Sequence, residues 1–427
     1  MDSAGWLPLD RSHTWHPYTQ VAAAPAPVPI LCAEGAYLHT ADGRAILDAI
    51  SSWWVTLHGH RHPRLIGALV EEAKRFDHVI FAGFAHEPAA RLAAELVRRA
   101  PAGLSRVFFS DDGSTAVETA LKMALQYFSN RGEPERRLFI GLEGGYHGDT
   151  FGAMAAGGSS PFNTPFRPLF FPALRAPSPR NPAECAAGIE RLLDEDGRRA
   201  AAVILEPILQ GAGGMVVFPP PVLRAARAAC DRAGALLIAD EVLTGFGRTG
   251  KLFACEHGPI APDILCLSKA LTGGVMPLGA TLATEEIFAA FLSPDRARAF
   301  LHGHSYTANP LGCAVALENL AVLDDERGIE RARKLETLYR DRLDRLRGRR
   351  AVRETRAIGM VAALEIEPET GGGYLDTLGP RLQAEFLARD ILLRPLGNVV
   401  YVLPPLCITD AEVHRVFDAI EEVLDAL

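Results

Sequence analysis

One lysine closes the apolar run in ILCLSKALTGG (264–274), and a pair of glycines follows shortly after it. A cation driven to the end of a strand-like segment either reaches water along its methylene stem or gives up its proton, because an unpaired buried ammonium is costly. In the second case Lys269 is a neutral amine that can condense with an aldehyde. Asp240 ends another apolar run, LLIADEV (236–242). A carboxylate at the carboxyl edge of a sheet needs a cation, and a protonated pyridine nitrogen is one whose pKa the carboxylate would itself raise. A third segment, SDDGSTAVETALKMA (110–124), sets Gly113-Ser114-Thr115 where a strand gives way to a helix. Free backbone N–H groups and the positive end of the helix dipole suit an anion there, phosphate above all.

Each of these has a plainer reading: a lysine snorkelling at a strand end, an aspartate capping a turn, an ordinary helix cap. Asp240-Glu241 also resembles a metal-binding strand end, yet no GxxxxGK[ST] motif accompanies it. Together the three segments match one small molecule. Its aldehyde meets Lys269, its pyridinium meets Asp240 and its phosphate meets Gly113 and Ser114. That molecule is pyridoxal phosphate.

The elements needed to position these groups are present in the pattern. RVFFS (106–110) precedes the amphipathic run STAVETALKMALQYF, and AAVILEP (201–207), ALLIADEV (235–242) and DILCLS (263–268) follow, separated by helical or glycine-rich stretches. Short apolar strands alternating with helices predict a mostly parallel sheet covered on both faces. The ends differ. AYLHTADGRAILDA (36–49) reads as a hairpin, and GMVAALEI (359–366) and VVYVLPPL (399–406) flank a helix. The expected division is 1–60 as the N-terminal part of a small α+β domain, 61–320 as a large α/β domain and 321–427 as the rest of the small domain. Residues 174–182 (LRAPSPRNP) read as a loop, and TGGGY (370–374) as a turn with no helix start behind it to make a phosphate cradle. RARKLETLYRDRLDRLRGRR (331–350) reads as a solvated helix face.

A length of 427 residues suggests two domains, and 48% hydrophobic with 22% charged residues fits a soluble enzyme. A net charge of -8 argues against nucleic acid and acidic membranes as partners. The seven cysteines are scattered without a CxxC pair, which suits a reducing cytoplasm and gives no zinc signature. MDSAGWLPLD has no secretion-signal pattern, and no apolar run approaches membrane-spanning length. His58, His60 and His62 in HGHRHP lack a neighbouring carboxylate or cysteine, so no metal is expected there.

Beyond these segments, WHPYTQ (15–20), SSWWVTLHGHRHP (51–63), GYHGDTFGAM (145–154), EPILQGAGGM (206–215), HGHSYTANPLGCAVA (302–316) and LLRPLGNVVYVLPP (392–405) make nearly the whole chain resemble the class III aminotransferases. WHPYTQ, SSWW and RPLGN narrow the resemblance to the branch that aminates 8-amino-7-oxononanoate in biotin synthesis. The resemblance implies the type I pyridoxal-phosphate fold, a homodimer, and 7,8-diaminononanoate as product. It implies that Lys269 binds the cofactor aldehyde, Asp240 its ring nitrogen, and Tyr146 and Val242 its two faces. It also implies a cleft shaped by Tyr18, Trp53, Trp54 and Tyr146, a carboxylate grip by Arg394 and a backbone contact at Gly303. His304 and Ser305 would reach the phosphate from the second subunit. Trp53 and Trp54, read as adjacent strand residues, should point to opposite faces, so that one of them touches ligand. The resemblance implies Pro-Thr in many family members where this chain has His304-Ser305. A serine hydroxyl can replace that of threonine, but the donor stays open between S-adenosyl-L-methionine and lysine. The other readings are an ω-transaminase for ornithine, β-alanine or 4-aminobutyrate, and an inactive binding protein, against which an intact Lys269 argues.

Overall fold

The computed structural model describes residues 5–427. Residues 1–4, part of the stretch searched above for a secretion signal, lie outside the described residues. Strands β1 (Ile30–Glu34), β2 (Tyr37–Thr40) and β3 (Ala45–Asp48) come first, and β2 and β3 form the expected hairpin. The chain then supplies β4 (Leu104–Ser110), β5 (Leu138–Leu142), β6 (Ala173–Ala176) and β7 (Ala200–Leu205), and a short pair, β8 (Leu209–Gln210) with β9 (Val216–Val217). After these come β10 (Leu236–Asp240), β11 (Ile264–Leu267) and β12 (Gly279–Thr284). The C-terminal part adds β13 (Val352–Ile358), β14 (Val361–Ile366), β15 (Ile391–Leu392) and β16 (Val399–Val402).

The central sheet has the order β4-β12-β11-β10-β7-β5-β6. Its pairs are parallel except where β12 runs antiparallel to β11 and β4. Every residue of β5, β7, β10 and β11 is buried, as strands covered on both faces require. β15 joins β1–β3 in one sheet, bringing the two ends of the chain together, and β13-β14-β16 form another.

Four expectations need correction. Residues 174–182 are not all loop: β6 covers Ala173–Ala176, Pro182 opens the next helix, and only residues 177–181 are irregular. A helix does start behind TGGGY, at Leu378. It makes no phosphate cradle, because the buried Asp376 carboxylate already accepts the N–H groups of Glu369, Thr370, Gly372 and Leu378. The helix Gly328–Leu346 is not simply a solvated face, since Arg342 is buried and bonds Asp418 and Glu421. Finally, SSWW is not a strand. Ser51, Ser52, Trp53 and Trp54 take φ values of 52°, 43°, 72° and 74°, a left-handed turn built without glycine.

Candidate active site

The carboxyl ends of β7, β10 and β11 open onto a cavity of 430 Å³. Lys269 follows β11 with φ 42°, a backbone strain held by two side chains. Ser268 Oγ donates to Leu278 O at 2.8 Å, and Asn319 Nδ2 to Ala270 O and Leu271 O at 2.9 and 3.1 Å. The Lys269 amine lies 5.1 Å from the centre of the Trp54 ring and faces into the cavity. Enclosure lowers its pKa and Arg248 acts in the same sense, while Asp240 and Glu206 oppose them. The amine is therefore inclined toward its neutral, nucleophilic form.

Asp240 ends β10, buried, and uses both oxygens. Oδ1 accepts from Val242 N at 3.1 Å, and Oδ2 bonds His147 Nδ1 at 2.7 Å. His147 Nε2 is buried with no partner among the described residues. A third acid, Glu206, follows β7 and accepts from Tyr146 N at 3.0 Å and Gly211 N at 2.9 Å. Burial pushes its carboxyl up to about 7, with Asp240 adding to the shift and His147 opposing it. The sequence reading gave no role to Glu206 or His147. The signal for Glu206 was available, because AAVILEP ends an apolar strand in an acid just as LLIAD does. Nothing local marks His147.

At the other side of the cavity the helix Gly113–Asn130 begins. Asp112 caps it by accepting Thr115 N at 2.8 Å, leaving the first N–H groups, those of Gly113 and Ser114, without an intrahelical partner. A side chain at Gly113 would place its Cβ 2.5 Å from Val242 Cγ1, and one at Gly148 would lie 2.1 Å from Ser114 Oγ. Both glycines let loop and helix start meet tightly. Ser114 Oγ accepts Asp149 N at 3.1 Å, so its own proton is free to be donated. Tyr146 and Val242 complete the lining.

The mouth gathers Tyr18, Trp53 and Arg394. Tyr18 meets the Trp53 ring edge-on at 5.2 Å and that of Phe162 at 5.5 Å, and its hydroxyl bonds Asp149 and Tyr146. Burial and the Asp149 bond push the Tyr18 phenol up to about 12. The Arg394 guanidinium sits 4.9 Å from the Trp53 ring centre and forms no ion pair among the described residues. Trp54 lines the main cavity whereas Trp53 does not, so the two indoles do separate, through a left-handed turn instead of strand alternation. A second cavity of 240 Å³ adjoins through Tyr146, His147 and Gly148, with Phe162 and Tyr374 on its wall.

Gly303, His304 and Ser305 do not line this chain's own cavity. His304 Nε2 comes within 3.9 Å of Asp111 Oδ1 at the rim, and Ser305 is exposed. His58 is buried and pushed down to about 4, first by burial and then by the charge of His62.

An amine, a buried carboxylate with its histidine, and a helix start with free N–H groups thus converge on one cavity. The family described as aminotransferase class-III matches residues 18–424. An adenosylmethionine-8-amino-7-oxononanoate aminotransferase of Synechococcus elongatus is 48% identical over 97% of this chain and 99% of its own length. One of Geobacter sulfurreducens is 40% identical over 97% of this chain and 96% of its own. Among solved structures, the adenosylmethionine-8-amino-7-oxononanoate aminotransferase of Methanocaldococcus jannaschii superposes with a TM-score of 0.92 at 37% identity, covering 99% of this chain and 98% of that one. An omega transaminase of Pseudomonas jessenii, in complex with PMP, gives 0.93 at 30% identity over 98% and 97%. The chain belongs to the class III aminotransferases.

Proposed function

We propose that this aminotransferase converts 8-amino-7-oxononanoate to 7,8-diaminononanoate in biotin synthesis, with pyridoxal 5'-phosphate as cofactor and S-adenosyl-L-methionine as amine donor. The observation that carries the chemistry is the enclosed Lys269 amine sharing a cavity with the Asp240–His147 pair. The names of the relatives support the substrates. When bound, the cofactor supplies an aldehyde for amines to condense with and a ring that accepts electrons.

The residues fit that group. Lys269 would hold the aldehyde. Its Nζ, once released, would serve as the base for the proton on the donor's α-carbon and as the acid that gives that proton up. Asp240 would keep the ring nitrogen positive, with His147 fixing the carboxylate. The N–H groups of Gly113 and Ser114 and the Ser114 hydroxyl would face the phosphate, and Tyr146 and Val242 the ring. Trp53, Trp54 and Tyr18 would enclose the acceptor's alkyl chain, with Gly303 touching it through its backbone. Arg394 would take the acceptor carboxylate, a group for which no competing ion pair holds it.

A homodimer would complete the phosphate site with His304 and Ser305 from a second copy. The loop that bears them supports this: Leu301 is 84% exposed and Tyr306 64% exposed, a hydrophobic edge beside the cavity rim. Two-fold symmetry would give two equivalent sites. Mixing Lys269→Ala chains with Ser305→Ala chains would then leave one site of each mixed dimer intact, and activity should exceed that of either parent once Ser305→Ala is known to be impaired. No recovery in confirmed mixed dimers contradicts the shared site.

The sheets that join residues 30–48 to 391–392, apart from the central sheet, support the division at about residues 60 and 320. No helix among the described residues is long and apolar enough to cross a membrane. All seven cysteines are free thiols, which supports a cytoplasmic place.

The test is product formation by the purified enzyme from 8-amino-7-oxononanoate with each donor in turn. Diamine formed from adenosylmethionine is the expected result, and diamine formed from lysine alone reverses the donor. Turnover only with ornithine, β-alanine or 4-aminobutyrate overturns the proposal.

A further inference from the structure

A left-handed residue other than glycine is disfavoured relative to the right-handed form, so the Ser51–Trp54 turn persists only where its surroundings over-determine it. Two sets of contacts do so. On one side Ser52 Oγ donates to Asp48 at 2.8 Å, His60 bonds the same carboxylate at 2.9 Å, and Ser51 Oγ donates to Leu403 O at 2.8 Å. On the other side stands Arg248, from the GFGRTG segment that follows Asp240.

Arg248 is 0% exposed. One guanidinium nitrogen donates to Trp54 O at 3.0 Å and Thr56 O at 3.2 Å, and the other to Ser51 Oγ at 3.3 Å. These acceptors lie at the start of the turn, at its last residue and just beyond it. None of them is a carboxylate, the remaining contact is Met360 Sδ at 3.6 Å, and Arg248 Nε has no partner among the described residues. A buried guanidinium held by neutral oxygens is an expensive way to fill a core, and an apolar side chain would fill the same space more cheaply. The fork of donors is what an apolar side chain cannot supply. What the fork reaches is the backbone that carries Trp54, whose ring covers the Lys269 amine.

We propose that Arg248 is a positioning residue: it holds the Ser51–Trp54 turn left-handed and so fixes the Trp54 ring against Lys269. This rests on the reading of Lys269 as the reactive amine. The same cation disfavours a second positive charge on Lys269, against the pull of Asp240 and Glu206, and His147 stands beside those two acids.

Hydrogen exchange in the full-length protein tests the turn without relying on activity. Trp54 N and Val55 N bond to Ile50 O and Ser51 O within it. In Arg248→Met these amides should exchange at least tenfold faster and kcat should fall 10- to 100-fold. Adding Ser52→Asn, a residue that tolerates the left-handed region and whose amide can still donate to Asp48, should recover at least fivefold of kcat and slow the exchange again. Arg248→Lys keeps the charge but loses the fork, and it covers the case in which Arg248→Met does not fold. Its exchange should also be faster than that of the parent. Parental exchange and kcat in either variant, or no recovery on adding Ser52→Asn, overturns the proposal. Full activity in Lys269→Ala would instead sink the reading of the amine, while the exchange and asparagine-rescue results would still judge Arg248.

Discussion

At the back of the cavity Asp240, Glu206 and Lys269 stand at the ends of adjacent strands, whereas at its mouth Tyr18, Trp53 and Arg394 come from segments far apart in the chain. The back is buried and its polar groups are fixed by short bonds: Asp240 to His147, and Glu206 to two backbone N–H groups. The mouth is partly exposed and held by ring contacts and a strained turn. The difference teaches a division of labour. On the proposed function, charge would be moved where the sheet fixes geometry and excludes water, and substrate would be recognised where the backbone has been bent to present side chains.

Changes at the back should therefore reduce turnover, and changes at the mouth should reduce affinity. The largest effect belongs to Lys269→Ala, which should lose transamination by several orders of magnitude while its far-UV circular dichroism matches the parent. Turnover within tenfold of the parent would break the division. Asp240→Asn comes next, at about 100-fold in kcat if the lost charge lowers the ring-nitrogen pKa by about two units, each worth about 1.4 kcal/mol. The primary isotope effect on the donor's α-hydrogen should grow, and an unchanged kcat removes Asp240 from that role. Arg394→Ala, at the mouth, should weaken acceptor binding by roughly 2 kcal/mol, about 30-fold, with the cofactor's absorbance unaltered. An unchanged acceptor KM would make the arginine structural.

The smallest expected effect is on stability. The Glu206 carboxyl, at about 7 when folded against an ordinary 4.5, binds its proton more tightly in the native state than in the unfolded one. Its contribution to stability is thus full below pH 4.5 and lost as pH rises through 7. Glutamine does not titrate, so the Tm of Glu206→Gln relative to the parent should improve between pH 5 and pH 8. Thermal melts at those two values check it, and a difference that is flat in pH contradicts the assignment.

The same contrast decides what could be read from the sequence. Lys269 and Asp240 were legible because each ends its own apolar run, a local pattern. Glu206 carried the same mark and was passed over. β6 was hidden by Pro177 and Pro179, which follow it, and β12, GATLAT, by its small residues. SSWW could not have been read as a left-handed turn, since it has no glycine and its conformation comes from Arg248, Asp48 and Leu403, all outside it. Helical residues 113–130 were legible from their period, but the collisions that make Gly113 and Gly148 necessary appear only once loop and helix meet.

On the proposed function the enclosed Lys269 amine, and no other, would meet the cofactor aldehyde. Reduction of the pyridoxal-phosphate-loaded enzyme with borohydride, followed by digestion and mass spectrometry of the peptides, tests it directly. A pyridoxyl adduct on the peptide containing Lys269, in near-stoichiometric yield, is the expected result. An adduct instead on Lys122, which lies beside His302, or on Lys251, which donates to Glu256 O, would contradict it.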